Sequence, residues 1–454
     1  MAVIQATSME RYAPSGIKIL IVGGGIAGLG FAIEAYRKGH EVSILERRPD
    51  FNDYGDLIAF QPSCLATPEK WPGFMERCRE VQVGSTGTIH KYDGTQIGSH
   101  TFPLAMSRAV FINTLHEYTQ SLGIKIKFSS QVIEYFETDD HAGVILEDGT
   151  AATADIVVAA DGVGSKSWKL VSGFKEKATS SGFALFRATF PAELALDKPS
   201  VAKEYGDVKD RVKLIAGPGA HVILARAGPS IIFMLTHRDT GNGEEEWTKK
   251  TSIDNALPYI DGWAPEVRDI IESAPNREAV DFKLMWRNPR DTWFSPKKRV
   301  IQIGDAAHSF LPTSTSGASM ALEDGFSLAA CLQIAGKKDA PLAIRVHNHL
   351  RAGRVSCAQR LGLKNRELYH CADWDAPDFD PTPFRTLVGK WLVHHDPEQY
   401  AYDNYETCAS HLTAGTLFEN TNAVPGFPNK PWTVQELLEA SDHGEKIVDE
   451  GDWF

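Results

Sequence analysis

The alternation of apolar and polar positions changes character three times along the chain. After a polar opening, "MAVIQATSMERYAPSG", comes "KILIV", a continuous apolar run of the kind that fills a strand buried on both faces of a parallel sheet. "AGLGFAIEAYRKG" follows with the texture of a helix closed by Gly39, and "EVSILE" reads as the next strand. A helix is predicted around "SRAVFINTLHEYTQSLG", strands near "IKIKFSSQVIEYFE" and "AGVILEDGT", and another buried strand in "ATADIVVAADG". From about 180 to 285 the segments "GFALFRATF", "RVKLIAG", "AHVILARAG" and "SIIFMLTHR" alternate or run apolar between Gly-Pro turns, which predicts an antiparallel sheet. "APEVRDIIESA" is a helix on its edge. "KRVIQIGDAAH" returns to the buried-strand style, 317 to about 370 reads as helix, and the remainder, rich in Pro, Asp and Trp, is helical or irregular.

The fold class expected is therefore α/β: a Rossmann-like nucleotide-binding domain, interrupted by an inserted, mainly antiparallel substrate sheet and followed by a helical C-terminal part. The divisions expected are 17–180 and 286–370 for the two parts of the nucleotide domain, 181–285 for the inserted sheet and 371–454 for the extension. A chain of 454 residues exceeds what one core usually holds, so more than one unit fits.

Composition narrows the partners. A net charge of −12 argues against nucleic acid or an anionic membrane surface. No apolar run approaches the length of a membrane span, and the opening segment lacks the charged start and apolar block of a secretory signal. Six cysteines without a CxxC pair suit free thiols in a reducing compartment, so a cytoplasmic location is expected.

The chemistry begins at the first strand. Gly23, Gly25 and Gly28 form a GxGxxG between strand and helix. Gly23 permits the tight turn, Gly25 lets backbone approach a pyrophosphate, and Gly28 lets helix pack on strand. Glu46, eighteen residues past Gly28 at the end of the second strand, can accept hydrogen bonds from a ribose. This pattern fits NAD or FAD. The stretch "GDAAHSFLPTSTSGASMALEDG" favours FAD, because a nicotinamide dehydrogenase completes its site in one Rossmann domain and has no use for a second acidic turn. Asp305 can accept from ribityl hydroxyls. The helix opening near Gly317 and Ala318 can aim free N–H groups at the flavin's pyrimidine edge, where negative charge collects on reduction.

With "GGGIAG", "AADG" at 159–162 and "GDAAH" in this order, the chain resembles the single-component, FAD-dependent aromatic hydroxylases (group A flavoprotein monooxygenases), especially salicylate-hydroxylase-like and fungal secondary-metabolite enzymes, over most of residues 17 to 400. The resemblance implies that Asp161 and Gly162 sit near both flavin and nicotinamide, that Arg108 contacts FAD, and that the "GDLIAFQP" loop, with Gly55 and Ala59, runs beside the cofactor. It implies non-covalent FAD, NADPH or NADH as a transient co-substrate, dioxygen, and a flavin hydroperoxide that hydroxylates or epoxidises an electron-rich aromatic or indole-like small molecule. Three positions depart from the family pattern: Trp168 stands where an Arg follows the Asp-Gly, and Thr315-Ser316 replace the usual Gly-Gln before Gly317.

Arg187 shares a strand face with the apolar Phe183 and Leu185 by alternation, and a cation there needs a partner. The pattern alone suits a salt bridge inside the sheet; the resemblance places an arginine here on the substrate side and makes it the candidate catalytic residue. His347 and His349, two apart on a helix, do not share a face, so no metal site is expected. The alternative functions are a flavin oxidase or dehydrogenase on the same scaffold and a non-catalytic FAD-binding protein.

Overall fold

The computed structural model describes residues 9–51, 57–84, 86–174, 178–239, 249–428, 430–443, 445 and 450–454. Among them a parallel sheet of five strands has the order Val300–Gln302, Ile156–Ala159, Lys18–Val22, Glu41–Leu45, Lys125–Lys127. Both faces of its central strand are buried. Ile19 and Ile21 point into the helical layer, while Leu20 and Val22 meet a small antiparallel sheet of Val132–Glu137, Ala142–Leu146 and Ala151–Ala154. That double burial is why the strand reads as an unbroken apolar run.

Helix Ile26–Arg37 crosses helix Gly317–Ala335 at close range. A Cβ on Gly30 would lie 2.5 Å from Leu322 Cδ2, and one on Gly325 would lie 3.1 Å from Phe31. The two helices that open at the site are thus pressed together. The stretch expected to be helical from 317 to about 370 is two helices, Gly317–Ala335 and Ala340–Cys371, broken at Gly336 with φ +68.

A second, larger sheet has the order Lys250–Ser252, Glu278–Trp286, Thr179–Pro191, Ser230–Arg238, Ala220–Ala227, Asp210–Gly217, Thr86–Lys91, Gln96–Thr101. It is antiparallel except where Thr86–Lys91 runs parallel to Asp210–Gly217. The 86–101 hairpin escaped the sequence reading because His, Thr and Gly blur its alternation. One face of the sheet buries Phe186, Val222, Leu224, Phe233 and Leu235 against helices Pro199–Tyr205 and Pro265–Glu272. The opposite face carries Phe183, Leu185, Phe282, Leu284 and Trp286, which pack on Leu311, Leu363 and the C-terminal Trp432, Val434 and Leu437. This second face is turned toward the loop that carries Leu311 and the helix that carries Leu363.

Among the described residues no helix is long and apolar enough to cross a membrane. Asp396 caps helix Pro397–Ala414 by accepting the amides of Glu398 and Gln399, each at 3.0 Å.

Candidate active site

The three motif glycines have different reasons to be glycine. Gly23 takes φ +105, and a Cβ there would sit 2.4 Å from the Ala160 carbonyl oxygen. A Cβ on Gly28 would sit 2.0 Å from the Gly23 carbonyl oxygen, so the helix rides directly over the strand end. Gly25 has an ordinary φ of −78, and a Cβ on it would meet nothing within 4 Å. Neither strain nor packing calls for glycine at that position. Room in front of a helix N-terminus that has no side-chain cap does, and that is the cradle a pyrophosphate needs.

Glu46 is buried beside this turn. Its Oε2 accepts the Gly24 amide at 2.7 Å and its Oε1 accepts the Arg48 amide at 2.8 Å. A carboxylate oxygen has two acceptor positions, so both oxygens can still take a hydroxyl.

Parallel pairing of Ile156–Ala159 with Val300–Gln302 ends the two strands side by side, so the turns Gly162–Gly164 and Gly304–Ala306 are neighbours. Gly304 takes φ +57 and lies so near helix Ile26–Arg37 that a Cβ would be 2.9 Å from Ala27 Cβ. Asp161 accepts from the buried Tyr135 hydroxyl at 2.7 Å through Oδ2; among the described residues Oδ1 has no aligned partner, the nearby Ser165 hydroxyl being paired with Ser167 at 2.7 Å. Burial pushes the Asp161 carboxyl above its ordinary pKa, against the pull of its hydrogen-bonding neighbours Ser165 and Tyr135. Asp305 is crowded by protein, which pushes its carboxyl up, while the charges of His308, Arg108 and Arg287 draw it down. The residue is nonetheless exposed, so water offsets part of that upward push. Asp161, Gly162, Asp305 and Arg108 are thereby brought together.

The strand Leu57–Phe60 pairs with Leu104–Ser107, Ala59 opposite Ala105, and Arg108 opens the helix that follows. The Gln61 amide donates to Ser319 Oγ at 3.0 Å and its side chain donates to Thr315 Oγ1 at 3.2 Å. Ala59 and Arg108 are so tied to the loop that opens helix Gly317–Ala335, which carries Gly317 and Ala318. Gly55 lies outside the described residues. Thr315, one of the departures from the family pattern, takes the left-handed φ of +49, and Ser316 Oγ donates to the Ser314 carbonyl at 2.7 Å. Trp168 begins the short helix Trp168–Val171 and is half-buried.

The sequence reading missed the ion network beneath this loop. Asp324 Oδ2 accepts the Gly304 amide at 3.0 Å and pairs with His308 Nε2 at 2.6 Å, and Arg351 Nε donates to Asp324 Oδ1 at 3.0 Å. Glu323 takes Arg351 at 2.5 Å, Arg354 at 2.8 Å and the Ser63 hydroxyl at 2.7 Å. All four charged residues are sealed from solvent. Burial alone would raise Asp324, but His308 and Arg351 hold its carboxyl down to about 2. The available signal was two adjacent acids in the apolar run "MALEDGFSLAA", matched by arginines three apart in the next helix.

Arg187 lies on the sheet face turned toward this loop. Strand register places Leu214, Ile223, Met234, Arg187 and Val280 in one row across five strands, and all five are half-buried. The adjacent row, Ala216, His221, Thr236, Leu185 and Phe282, is buried throughout. The Arg187 guanidinium stands 5.1 Å from the centre of the Phe282 ring. A single cation thus sits in an accessible apolar band. Among the described residues no cluster of three or more His, Cys, Asp or Glu has a metal-binding arrangement, and His347 is bound to the Ser327 hydroxyl at 3.1 Å.

Residues 16–343 match the model of the FAD binding domain family. Over 98% of this chain and 91% of its own length, the FAD-dependent monooxygenase dmxR9 of Cryptosporiopsis sp. is 36% identical. The chain belongs to the FAD-dependent monooxygenases. The FAD-dependent monooxygenase mdpD of Emericella nidulans is 37% identical over 98% of this chain and 92% of its own length. Among solved structures, CtdE in complex with FAD and a substrate superposes with a TM-score of 0.81 at 30% identity, covering 87% of this chain and 100% of that one. The protein is thus a flavoenzyme, and the glycine cradle at Gly25, with the acidic groups Glu46 and Asp305 flanking it, has the donor and acceptor chemistry that FAD requires.

Proposed function

We propose that this monooxygenase hydroxylates or epoxidises an electron-rich aromatic or indole-like small molecule in the cytosol, in the assembly of a secondary metabolite. NADPH or NADH provides two electrons, one atom of dioxygen enters the substrate, and the other leaves as water. FAD, held without a covalent bond, supplies the redox and oxygen chemistry.

The protein's own residues have separable tasks in this reading. Gly23, Gly25 and Gly28 shape the pyrophosphate cradle, and Glu46 accepts from the adenosine ribose. Asp305 accepts from the ribityl chain. Arg108, Asp161 and Gly162 line the cofactor, with Gly55 and Ala59 on the loop beside it. The amides of Gly317 and Ala318 face the flavin's pyrimidine edge, where a helix N-terminus favours negative charge. Arg187 acts on the substrate: its guanidinium holds a phenolate or polarised oxygen against the ring system and stabilises charge as it develops. The apolar row around it offers the substrate's ring a surface to pack against.

The observation that carries this reading is the place of Arg187, one half-buried cation in a row with Leu214, Ile223, Met234 and Val280. An aromatic acid or phenol satisfies both halves of that surface. A screen of aromatic compounds for faster NAD(P)H oxidation, with product and peroxide measured together, tests it. A hydroxylated or epoxidised product matching the NAD(P)H consumed supports the reading. Substrate oxidation without oxygen insertion, peroxide being the only oxygen product, would mark an oxidase instead.

A further inference from the structure

Arg287 follows strand Glu278–Trp286, where the chain leaves the large sheet to return to the parallel one. Its Nη2 donates to the Val163 carbonyl at 2.6 Å, and its backbone amide donates to Ser309 Oγ at 3.2 Å. Its positive charge also acts on the Asp305 carboxyl. One residue therefore grips the Gly162–Gly164 turn, is anchored at Ser309 just past the Gly304–Ala306 turn, and adds positive charge to the surroundings of Asp305. Within the Gly162–Gly164 turn, the Ser165 amide donates to the Gly162 carbonyl at 2.9 Å. A Cβ on Gly162 or Gly164 would meet nothing within 4 Å, and Val163 is 45% exposed.

We infer that Arg287 is a positioning residue for the flavin site: it fixes the Gly162–Gly164 turn against the Gly304–Ala306 turn and balances the charge of Asp305. This rests on the placement of FAD at these turns proposed above. Lysine would keep the charge without the guanidinium's planar, multi-donor reach, and methionine would keep neither. The two parts of the role can therefore be read apart.

The full-length wild type, R287K and R287M are compared by FAD titration of the apoprotein, by hydrogen exchange of the peptide spanning 160–167, and by the midpoint potential of the bound flavin. R287M is expected to lose about tenfold or more in FAD affinity, as for loss of a charge-assisted hydrogen bond. It should also exchange faster at Val163–Ser165 and show a more negative potential, because an unbalanced Asp305 disfavours the anionic reduced flavin. R287K should recover the potential but not the exchange protection. A folded, FAD-loaded R287M with wild-type exchange and potential overturns the inference; if R287M does not fold, wild-type exchange in R287K overturns it. D305A separates the two levels. If D305A binds FAD like the wild type, the placement of the cofactor fails; if D305A weakens FAD while R287M changes nothing, only the role of Arg287 fails.

Discussion

Glu46 Oε2 accepts the backbone amide of Gly24 at 2.7 Å, so the acid that ends the second strand also clamps the glycine turn that ends the first. Its other oxygen takes the Arg48 amide at 2.8 Å. The residue read from sequence as a ribose acceptor is at the same time part of the turn's scaffold.

Glu46→Ala should therefore both weaken FAD and lower the melting temperature of the apoprotein. A lost charge-assisted hydrogen bond costs on the order of 1.5–3 kcal/mol, about ten- to a hundredfold in affinity. FAD titration and thermal melts of the same samples check this. The product formed at full flavin occupancy should stay the same, and a changed product would contradict placing Glu46 at the adenosine end.

Gly25 and Gly28 should respond in opposite ways. Gly25→Val places its side chain in open space, so the apoprotein should melt near the wild-type temperature yet fail to take up FAD. Gly28→Ala drives a methyl to about the 2.0 Å separation from the Gly23 oxygen and should destabilise the fold itself. A Gly25 variant that binds FAD normally would show that the cradle is not the pyrophosphate site.

Arg187→Lys or Arg187→Gln should leave the protein folded and yellow while product formation falls about a hundredfold, as for loss of an electrostatic group worth about 2.7–4 kcal/mol at developing charge. NAD(P)H oxidation should continue with more oxygen released as peroxide. If Arg187 serves only the sheet, through Phe282 and its other neighbours, the variants lose melting temperature and keep their coupling. Product per NAD(P)H consumed, measured beside the melt, separates the two.

The buried network of Glu323, Asp324, Arg351 and Arg354 predicts a stability effect of its own. Arg351→Leu strands Glu323 and Asp324 with one cation fewer, and removing one partner of a buried pair typically costs about 3–5 kcal/mol. Denaturant unfolding reads this directly. Because Asp324 also holds the Gly304 amide, Asp324→Asn should weaken FAD as well, and a stable Asp324→Asn variant with normal FAD affinity would break that link.

Acid should destabilise the fold through its histidines. Burial pushes His221, His347 and His395 down to about 3 and His40 down to about 4. Unfolded, each takes a proton near pH 6.5, so between that pH and their folded values the unfolded chain binds more protons and stability falls as pH falls. Melting temperature should drop steadily from pH 7 to pH 5. His221→Gln, which loses the 2.6 Å contact between His221 Nδ1 and His370 Nε2, should melt lower at pH 7 but drop less. An equal drop in the variant would remove His221 from this account.

Sequence by itself determined what local pattern and backbone geometry control. "KILIV" had to be a strand buried on both faces, and Gly23, Gly25 and Gly28 marked a tight strand-to-helix turn because no other residue fits their contacts or leaves the same room. Asp305 stood out in the sequence as a candidate because an acid after a buried strand has no packing reason to be there. What only the tertiary structure decided depends on register and on contacts across hundreds of residues. The 86–101 hairpin joins the large sheet by pairing with Asp210–Gly217, a partner that lies beyond any local window. Alternation put Arg187 on one face of its strand, but the register of four neighbouring strands decided that its row is the accessible one. Arg287 and the pairing of Glu323 and Asp324 with Arg351 and Arg354 were invisible for the same reason: an ion pair is set by distance in space, and charge along a chain carries no record of which face it will meet.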